Sequence, residues 1–591
     1  MPLTLPPASA YLARPAIHRL TYKKGMTDRL AALFERIHPA WVGLVGFVLY
    51  LRTATYGFVL HDDPWLIRDN RLLHELSTAS VWRVLSDFSP EQRYRLGAEY
   101  LPVRDLSVML DYAVYGDWVG GHHVTQVLLY AGVCAVLPSL VLALFESRPL
   151  AWLTGLLFAT HPVHVETVAW LSERKGVLGA FLLSSSLLIA TAYLRRGGWK
   201  RALAACVLFI LAVAAKALAI AGAGALVLIV LWLGSSLNRR RQLAFVAAYA
   251  ACGLLTFVPN LWVSRSMGVI APYHGDGFAD TLLLFFQTHT QYLELMAYGG
   301  PYSVEYAIQP GDVGLGRWLP GALAAALGAL AVVWALFARP LRGAVTFGLA
   351  WWLVFLAPVS HLLVPVQNYA ADRYLFLPSF GLLLAFAAVL MKLPRPLSTP
   401  IGAAIIVLGC GWTIVQTPTW SSTERLFDNA AQVDPGNADA WNELASLAAN
   451  RGDRELAWTY TRRGLEHSPG DWRLLHRQGL LLADEGKLEA AIETMRRAAS
   501  VPEAHMAYAN LALLYLKRGS QEEALRMAEA AVRLQAQTTH NQRVLGIVAY
   551  EIGDTVTACR AFERAAALDP YDADNVRNIE LCADSAGAAP P

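Results

Sequence analysis

An all-α protein in two parts, a polytopic helical membrane domain followed by a solenoid of paired helices, is the fold class this sequence predicts. Three observations predict it. Of 591 residues, 55% are hydrophobic and only 16% charged, where a soluble domain carries about 25% charged residues; mean hydropathy is +0.37. Apolar windows of about 20 residues, the length that crosses a bilayer, recur through the first 416 residues. After Trp420 the composition changes to Ala, Leu, Glu and Arg and acquires a fixed period. The net charge of +3 gives no reason to expect a nucleic-acid partner.

The membrane part is read from its windows. They lie near 39–60, 123–145, 151–171, 176–194, 202–233 (two short passes), 243–262, 281–298, 318–338, 344–364, 374–391 and 400–416, giving 10 to 12 spans. Residues 1–38 carry Lys23, Lys24, Arg29 and Arg36 ahead of the first window and no cleavable signal peptide; they are read as a cytoplasmic segment. The other basic clusters are Arg148, Arg195/Arg196/Lys200/Arg201, Arg239 to Arg241, Arg339/Arg342 and Lys392/Arg395. With these on the cytoplasmic side, the loop after the first span, the segments at 173–175, 263–280 and 365–373, and the tail after 416 lie outside. One crossing too many falls between Arg241 and Arg339, so 281–298 is read as interfacial or re-entrant, or a neighbouring window divides differently.

The tail repeats. Gly452, Gly486, Gly519 and Gly553 recur at spacings of 34, 33 and 34, and Ala457, Ala491, Ala524 and Ala558 follow in step; Pro435, Pro469, Pro502 and Pro570 keep the register with one position skipped. This is the tetratricopeptide (TPR) period: two helices, Gly at the turn, and a small Ala where the helices cross closely. Four units are read between about 437 and 571, a half unit over 417–436 leads in, the domain runs to 585 with a capping helix, and 586–591 is a tail. Such an array offers a concave groove for a peptide or protein partner, or serves as a spacer or dimerisation surface. Cys134, Cys206, Cys252 and Cys410 fall in apolar runs as packing residues; Cys559 and Cys582 lie in the tail, where an oxidising compartment would allow them to pair.

Chemistry concentrates at "FVLHDDPWLIRDN", where Asp62 and Asp63 follow the first span directly. Trp65 favours the interface and holds this turn near headgroup level. A carboxylate there reaches both a lipid-linked phosphate and a polar acceptor outside. A sugar on a lipid phosphate needs little acid assistance; it needs a base for the acceptor hydroxyl and cations for the departing phosphate. Lys216 interrupts "LFILAVAAKALAIAG", and an ionisable group at membrane depth points to function. Arg174 and Lys175 end "ATHPVHVETVAWLSERKG", and Arg373 opens a later span in "NYAADRYLFLPSFG". Four basic groups on one outer face would bind phosphate, although each alone also reads as a snorkelling side chain. His161, His164 and Glu166 form HxxHxE; ligands this close along one segment do not reliably converge on a metal, and hydrogen-bonded structural roles are expected. Arg104 and Asp105 form either an ion pair or acceptor contacts. No metal site is assigned, and a need for Mg²⁺ or Mn²⁺ is left open.

In this order, the segments resemble the transmembrane-and-TPR O-mannosyltransferase family and its bacterial TPR relatives, of the GT-C glycosyltransferase class. "FVLHDDPWLIRDN" is similar to the family's first-loop FxxDDxxxIxxN, "VRDLSVMLDYAVYG" to its RPLxxLSxxxxYxxxG, "HPVHVETVAWLSERKGVLGAFLL" to its most specific stretch, "APVSHLLVPVQNYAADRYLFLPSFGLLL" to its late signature, and "TPTWSSTERLFDNAAQVDPGNADAWNELA" to its junction into the repeats. The chain departs from the pattern at Lys216-Ala217, where Lys-Glu is common, at "HVTQVLLY" with Gln126 and Tyr130 in place of HxxNxxLH, and at Arg104-Asp105 in place of Arg-Pro.

The resemblance implies a GT-C catalytic domain over 39–416, an inverting transfer from a polyprenyl-phosphate-linked sugar, and an acceptor protein brought by the TPR groove. It implies an acidic catalytic residue in the first outer loop, with Asp62 preferred over Asp63, and Arg174, Lys175, Lys216 and Arg373 as phosphate contacts. Arg104, Asp105, His161, His164, Glu166 and Asp372 stand as acceptor or structural support. It places the protein in a bacterial inner membrane with its repeats in the periplasm. The alternatives are the same donor with a glycan or lipid acceptor, and a non-catalytic scaffold for which Lys216 has no use.

Overall fold

The computed structural model describes residues 37–587 apart from 234–236, 271–272, 274–276, 298–299, 301, 307–313, 338–342, 367, 502 and 570–571. The reading of 1–38 as a cytoplasmic segment therefore lies almost wholly outside the described residues, as do Pro502, Pro570 and the last of the 586–591 tail.

All regular structure among the described residues is helical, as the composition predicts. Among the described residues six helices are long and apolar enough to cross a membrane: Val119–Phe145, Leu171–Arg196, Arg239–Ser266, Leu315–Trp334, Asp372–Leu390 and Arg395–Ser421. Two shorter apolar stretches are Ala217–Trp232 and Ala344–Val359. The remaining windows carry Val42–Tyr50, Arg148–Ala159, Trp199–Ala215 and Phe278–Met296. The last of these buries Gln287, Thr288, His289 and Thr290, which explains its weak hydropathy. The window 202–233 divides into two helices at Lys216, whose φ of −150° and ψ of 119° leave the helical region. The window 151–171 is one helix only to Ala159; beyond it the chain runs as short turns through Pro162–His164, Val165–Ala169 and Leu171–Glu173, every residue buried. Irregular backbone at membrane depth survives only when protein covers it or it lines a cavity. Close helix contact is bought with glycine: Gly348 and Gly381 face each other, so a Cβ on either would strike the other's carbonyl oxygen.

The loop after the first span is helical and shares a small core with Leu171 of the membrane domain. Helices Thr78–Ser86, Pro90–Arg95 and Pro102–Tyr115 close over a small core of Ile67, Leu73, Val84, Leu96, Met109 and Tyr112. The buried guanidinium of Arg93 donates to Asp87 O at 2.6 Å and Val84 O at 3.0 Å, with the rings of Phe88 and Tyr100 each 5.2 Å away.

After Thr423–Val433, four antiparallel helix pairs follow from Ala438–Asn450 to Thr555–Leu568, then Ala573–Gly587. Gly452, Gly486, Gly519 and Gly553 have φ between 76° and 88°, a left-handed turn that disfavours any side chain. Ala457, Ala491, Ala524 and Ala558 are all fully buried at the crossings. Cys559 and Cys582 are joined by a disulfide that ties the last helix to the fourth pair. The array is continuous with the membrane domain: Trp420, Leu426, Phe427 and Ala430 belong to the same apolar core as Tyr130, Phe158 and Trp170.

Candidate active site

The two carboxylates of the opening motif have different surroundings. Asp63 is buried; it accepts from Val59 N at 3.1 Å, Ser172 N at 2.9 Å and Ser172 Oγ at 2.5 Å. Burial outweighs these bonds and pushes its carboxyl up to about 6. Asp63 thus ties the first outer loop to the turn at Leu171–Glu173. Asp62 is half-buried, and among the described residues its carboxylate meets only Trp65 Nε1, at 3.4 Å. Its charge reaches His61 and the Arg104 guanidinium.

Three of the four sequence-predicted cations share one cluster. Lys216, presented by the break between two helices, is ion-paired with the buried Glu173 at the start of Arg174–Arg196. Lys175 Nζ lies 2.7 Å from Glu99 Oε2, which also meets Arg104 at 3.3 Å. Burial alone would raise the Glu99 carboxyl, but Lys175 and Arg104 outweigh it and hold it below the usual range. Arg373 is ion-paired with Glu166 and also donates its backbone N–H to Glu166 Oε2 at 2.9 Å. Its guanidinium lies 5.5 Å from the Trp170 ring centre.

Arg174 is not in this cluster. It is buried and points away, donating to Gln126 Oε1 at 2.7 Å and His122 O at 2.8 Å, with Asp111 at 2.7 Å. Neighbours at i and i+1 diverge by about 100° on a helix, and here Arg174 turns to Asp111 while Lys175 turns to Glu99. Gln126 is one of the positions where the sequence departs from the family pattern.

A small cleft of about 40 Å³ opens beside the cations. Lys216 and Arg373 stand in its wall; Gly176, Gly179, Leu218, Phe355 and Leu377 make much of the rest apolar. A side chain at Gly176 would collide with the Glu173–Lys216 pair. The cleft thus has cationic and apolar walls side by side.

The support residues divide. Arg104 and Asp105 form a buried ion pair at 2.7 Å. His161 Nε2 pairs with Met296 O at 3.2 Å, and His164 Nε2 with Ser379 Oγ at 2.9 Å, while Glu166 is committed to Arg373. The HxxHxE side chains therefore point to separate partners, and no cluster of three metal-ligating side chains occurs among the described residues. Asp372 accepts from Tyr306 Oη at 2.5 Å.

Sequence reasoning missed Glu99, Asp111 and the anionic role of Glu173; only Glu173 left a signal, its place beside Arg174-Lys175. It also missed residues that the repeats bring to the site. Asp439, at the start of Ala438–Asn450, is close enough to act on His61 and on Glu305, whose carboxylate meets Asn437 Nδ2 at 3.5 Å.

Fold and site define a multi-pass helical membrane protein with a cationic cleft and a TPR array packed against its membrane domain. The tetratricopeptide repeat family model matches residues 473–505 and 507–538. Relatives that match up to 91% of the chain are named protein O-mannosyl-transferases, the resemblance that the motifs carry. Protein O-mannosyl-transferase TMTC4 of Mus musculus is 24% identical over 497 residues, covering 72% of this chain and 66% of that protein. TMTC3 of Mus musculus is 23% identical over 596 residues, 90% of this chain and 64% of that protein; tmtc2 of Xenopus laevis reaches 33% over 148 residues, 24% of this chain and 17% of that protein. The chain thus spans just under two thirds of the length of the first two. Among solved structures, PilF of Pseudomonas aeruginosa is 21% identical with a TM-score of 0.24, covering 28% of this chain and 78% of that one. MamA of Desulfovibrio magneticus RS-1 is 20% identical with a TM-score of 0.22, covering 25% and 85%.

Proposed function

We propose that this protein is an integral-membrane inverting glycosyltransferase of the GT-C class. It moves one sugar from a polyprenyl-phosphate-linked donor to a hydroxyl of a protein acceptor on the non-cytoplasmic side, and the TPR array recruits the acceptor. The observation that carries this reading is the cleft beside Lys216 and Arg373: cations for a phosphate and an apolar wall for the lipid chain, next to the loop of Asp62.

In this reading Asp62 is the base. It takes the proton of the acceptor hydroxyl as the oxygen attacks the anomeric carbon, and the phosphate leaves with the bonding electrons toward Arg373 and Lys216. One displacement inverts the anomeric centre. Asp63 is a positioning residue that holds Asp62 over the cleft through Ser172. Lys175 acts on the leaving phosphate through the network of Glu99 and Arg104. Arg174 supports the helix start. The relatives' names supply mannose as the first sugar to try and protein as the first acceptor. The Cys559–Cys582 disulfide supports repeats facing an oxidising compartment, as in a bacterial periplasm.

The test uses membranes holding the full chain, a radiolabelled polyprenyl-phosphate sugar, and mass-shift detection on co-expressed protein. Transfer that Asp62→Asn abolishes is expected; full transfer by Asp62→Asn would overturn the assignment. Glycan profiling of the same cells tests the second reading, a glycan or lipid acceptor.

A further inference from the structure

Residues 56–62 form no helix, so the turn that carries Asp62 depends on contacts from elsewhere in the chain. On one side the Asp63 carboxylate accepts from Val59 N–H and from Ser172. On the other side Thr423 Oγ1 accepts from Leu60 N at 2.7 Å, across 363 positions. The next residue, His61, places its ring 5.1 Å from Trp170 and 6.3 Å from Phe427. Thr423 and Phe427 stand four residues apart on Thr423–Val433, the helix that opens the repeat array, and that spacing puts both on one helix face.

The junction into the array also backs a cation of the cleft. Trp420 stacks on Trp170 with ring centres 5.5 Å apart and planes 25° from parallel. Trp170 in turn lies 5.5 Å from the Arg373 guanidinium, within cation–π range. Both indoles are buried, so Trp420 limits how far the ring beneath Arg373 can shift.

No linker separates the array from the membrane domain. The apolar helix Arg395–Ser421 is followed by Ser422 alone, in extended backbone, before Thr423. The last turns of that helix are fixed in place: Thr413 Oγ1 donates to Thr160 O at 3.0 Å, and Arg52 Nη1 donates to Ile414 O at 3.1 Å. Asn429 Nδ2 then donates to Tyr302 O at 2.8 Å. A module that only captures a partner works from a flexible tether, which raises the partner's local concentration without fixing geometry. This array is held instead by a close-packed, hydrogen-bonded joint beside Asp62 and Arg373.

We propose that Thr423 is a positioning residue for the transfer reaction, and that the first helix of the repeat array, with Trp420 before it, is a wall of the active site: Thr423 fixes the turn that presents Asp62, and Trp420 backs the indole beside Arg373. The repeats then set the geometry of catalysis apart from any part in acceptor recruitment. This rests on the transferase reading above.

Thr423→Val in the full chain, reconstituted in nanodiscs, removes the acceptor of Leu60 N–H at nearly constant shape, and Thr423→Ser keeps the hydroxyl. Amide hydrogen exchange at Leu60 is expected to quicken about tenfold or more in Thr423→Val and to stay within about twofold of wild type in Thr423→Ser. Sugar transfer is measured from labelled polyprenyl-phosphate mannose to a synthetic peptide containing Ser and Thr. Thr423→Val is expected to lower kcat about tenfold, as a displaced base would, with KM for donor and peptide within about twofold; Thr423→Ser is expected to restore kcat. Melting in detergent shows which variants fold, and Thr423→Ala replaces Thr423→Val if the latter does not. Unchanged exchange at Leu60, faster exchange at wild-type kcat, a raised peptide KM at wild-type kcat, or a loss that serine does not restore would each overturn the proposal. Exchange needs no sugar: if the wild-type chain transfers none, the transferase reading falls, while Leu60 still decides whether Thr423 holds the turn.

Discussion

Glu173 and Lys216 form a buried ion pair across the break between two membrane helices, with Glu173 1% and Lys216 15% exposed. Removing one partner leaves an uncompensated charge where water is scarce. Lys216→Met is therefore expected to destabilise the protein by about 3 kcal/mol, and adding Glu173→Gln should recover most of it. Activity should not recover: both variants lack a phosphate cation, a loss of about 10²–10³ in turnover. Thermal unfolding in detergent beside the labelled-sugar assay separates the two effects. Transfer restored in the double variant would show that Lys216 serves only to neutralise Glu173.

The two carboxylates at 62–63 should respond differently to the same change. Asp62→Asn is expected to lower turnover by about 10²–10⁴, the range for a lost general base, with little change in melting temperature. Asp63→Ala strips the acceptor from the N–H groups of Val59 and Ser172 and is expected to cost about 2 kcal/mol of stability as well as activity. Ser172→Ala, which removes only the hydroxyl bond, should fall between wild type and Asp63→Ala in both readouts.

Glu305 gives the junction a pH dependence. Burial first, then the nearby Asp439 charge, raises its carboxyl to about 7, while Asn437, Arg473 and Arg373 oppose the shift. A carboxyl whose folded value lies above its unfolded value stabilises the fold at low pH, and that contribution fades as pH rises through about 7. Hydrogen exchange in Ala438–Asn450, corrected for intrinsic rates, should thus show more protection at pH 5.5 than at pH 8. Glu305→Gln should flatten this difference.

Losing the Cys559–Cys582 link should loosen the end of the array. The bond closes a separation of 23 residues, for which about 3 kcal/mol is the chain-entropy figure. Cys559→Ser with Cys582→Ser is expected to make Ala573–Gly587 exchange quickly and become protease-sensitive. Exchange in Arg174–Arg196 should not change, because that helix belongs to a separate core.

Much of this was legible because it is periodic or expensive. A run of about 20 apolar residues has few uses besides a bilayer; glycine and alanine recurring every 34 or 33 residues have few besides a helix-pair repeat. Lys216 stood out for the same reason: a cation in an apolar run is costly and must have a partner. Its partner was not legible. Glu173 lies 43 positions away, and nothing local in the chain records that distance.

By itself the sequence determined the all-helical class, the two-part order of the chain, the repeat register, and the residue types that meet at the outer loop. Local propensity, hydrophobic period and turn chemistry act within a few residues, so one chain suffices to read them. Tertiary structure alone decided which of two adjacent carboxylates is anchored and which is open, that Arg174 turns to Asp111 while Lys175 turns to Glu99, and that the last repeat returns to the first loop, joining Arg95 to Leu568 across 473 positions. Those outcomes depend on how helices rotate and stack to bury their apolar faces, and that rotation is fixed by the whole assembly rather than by any segment.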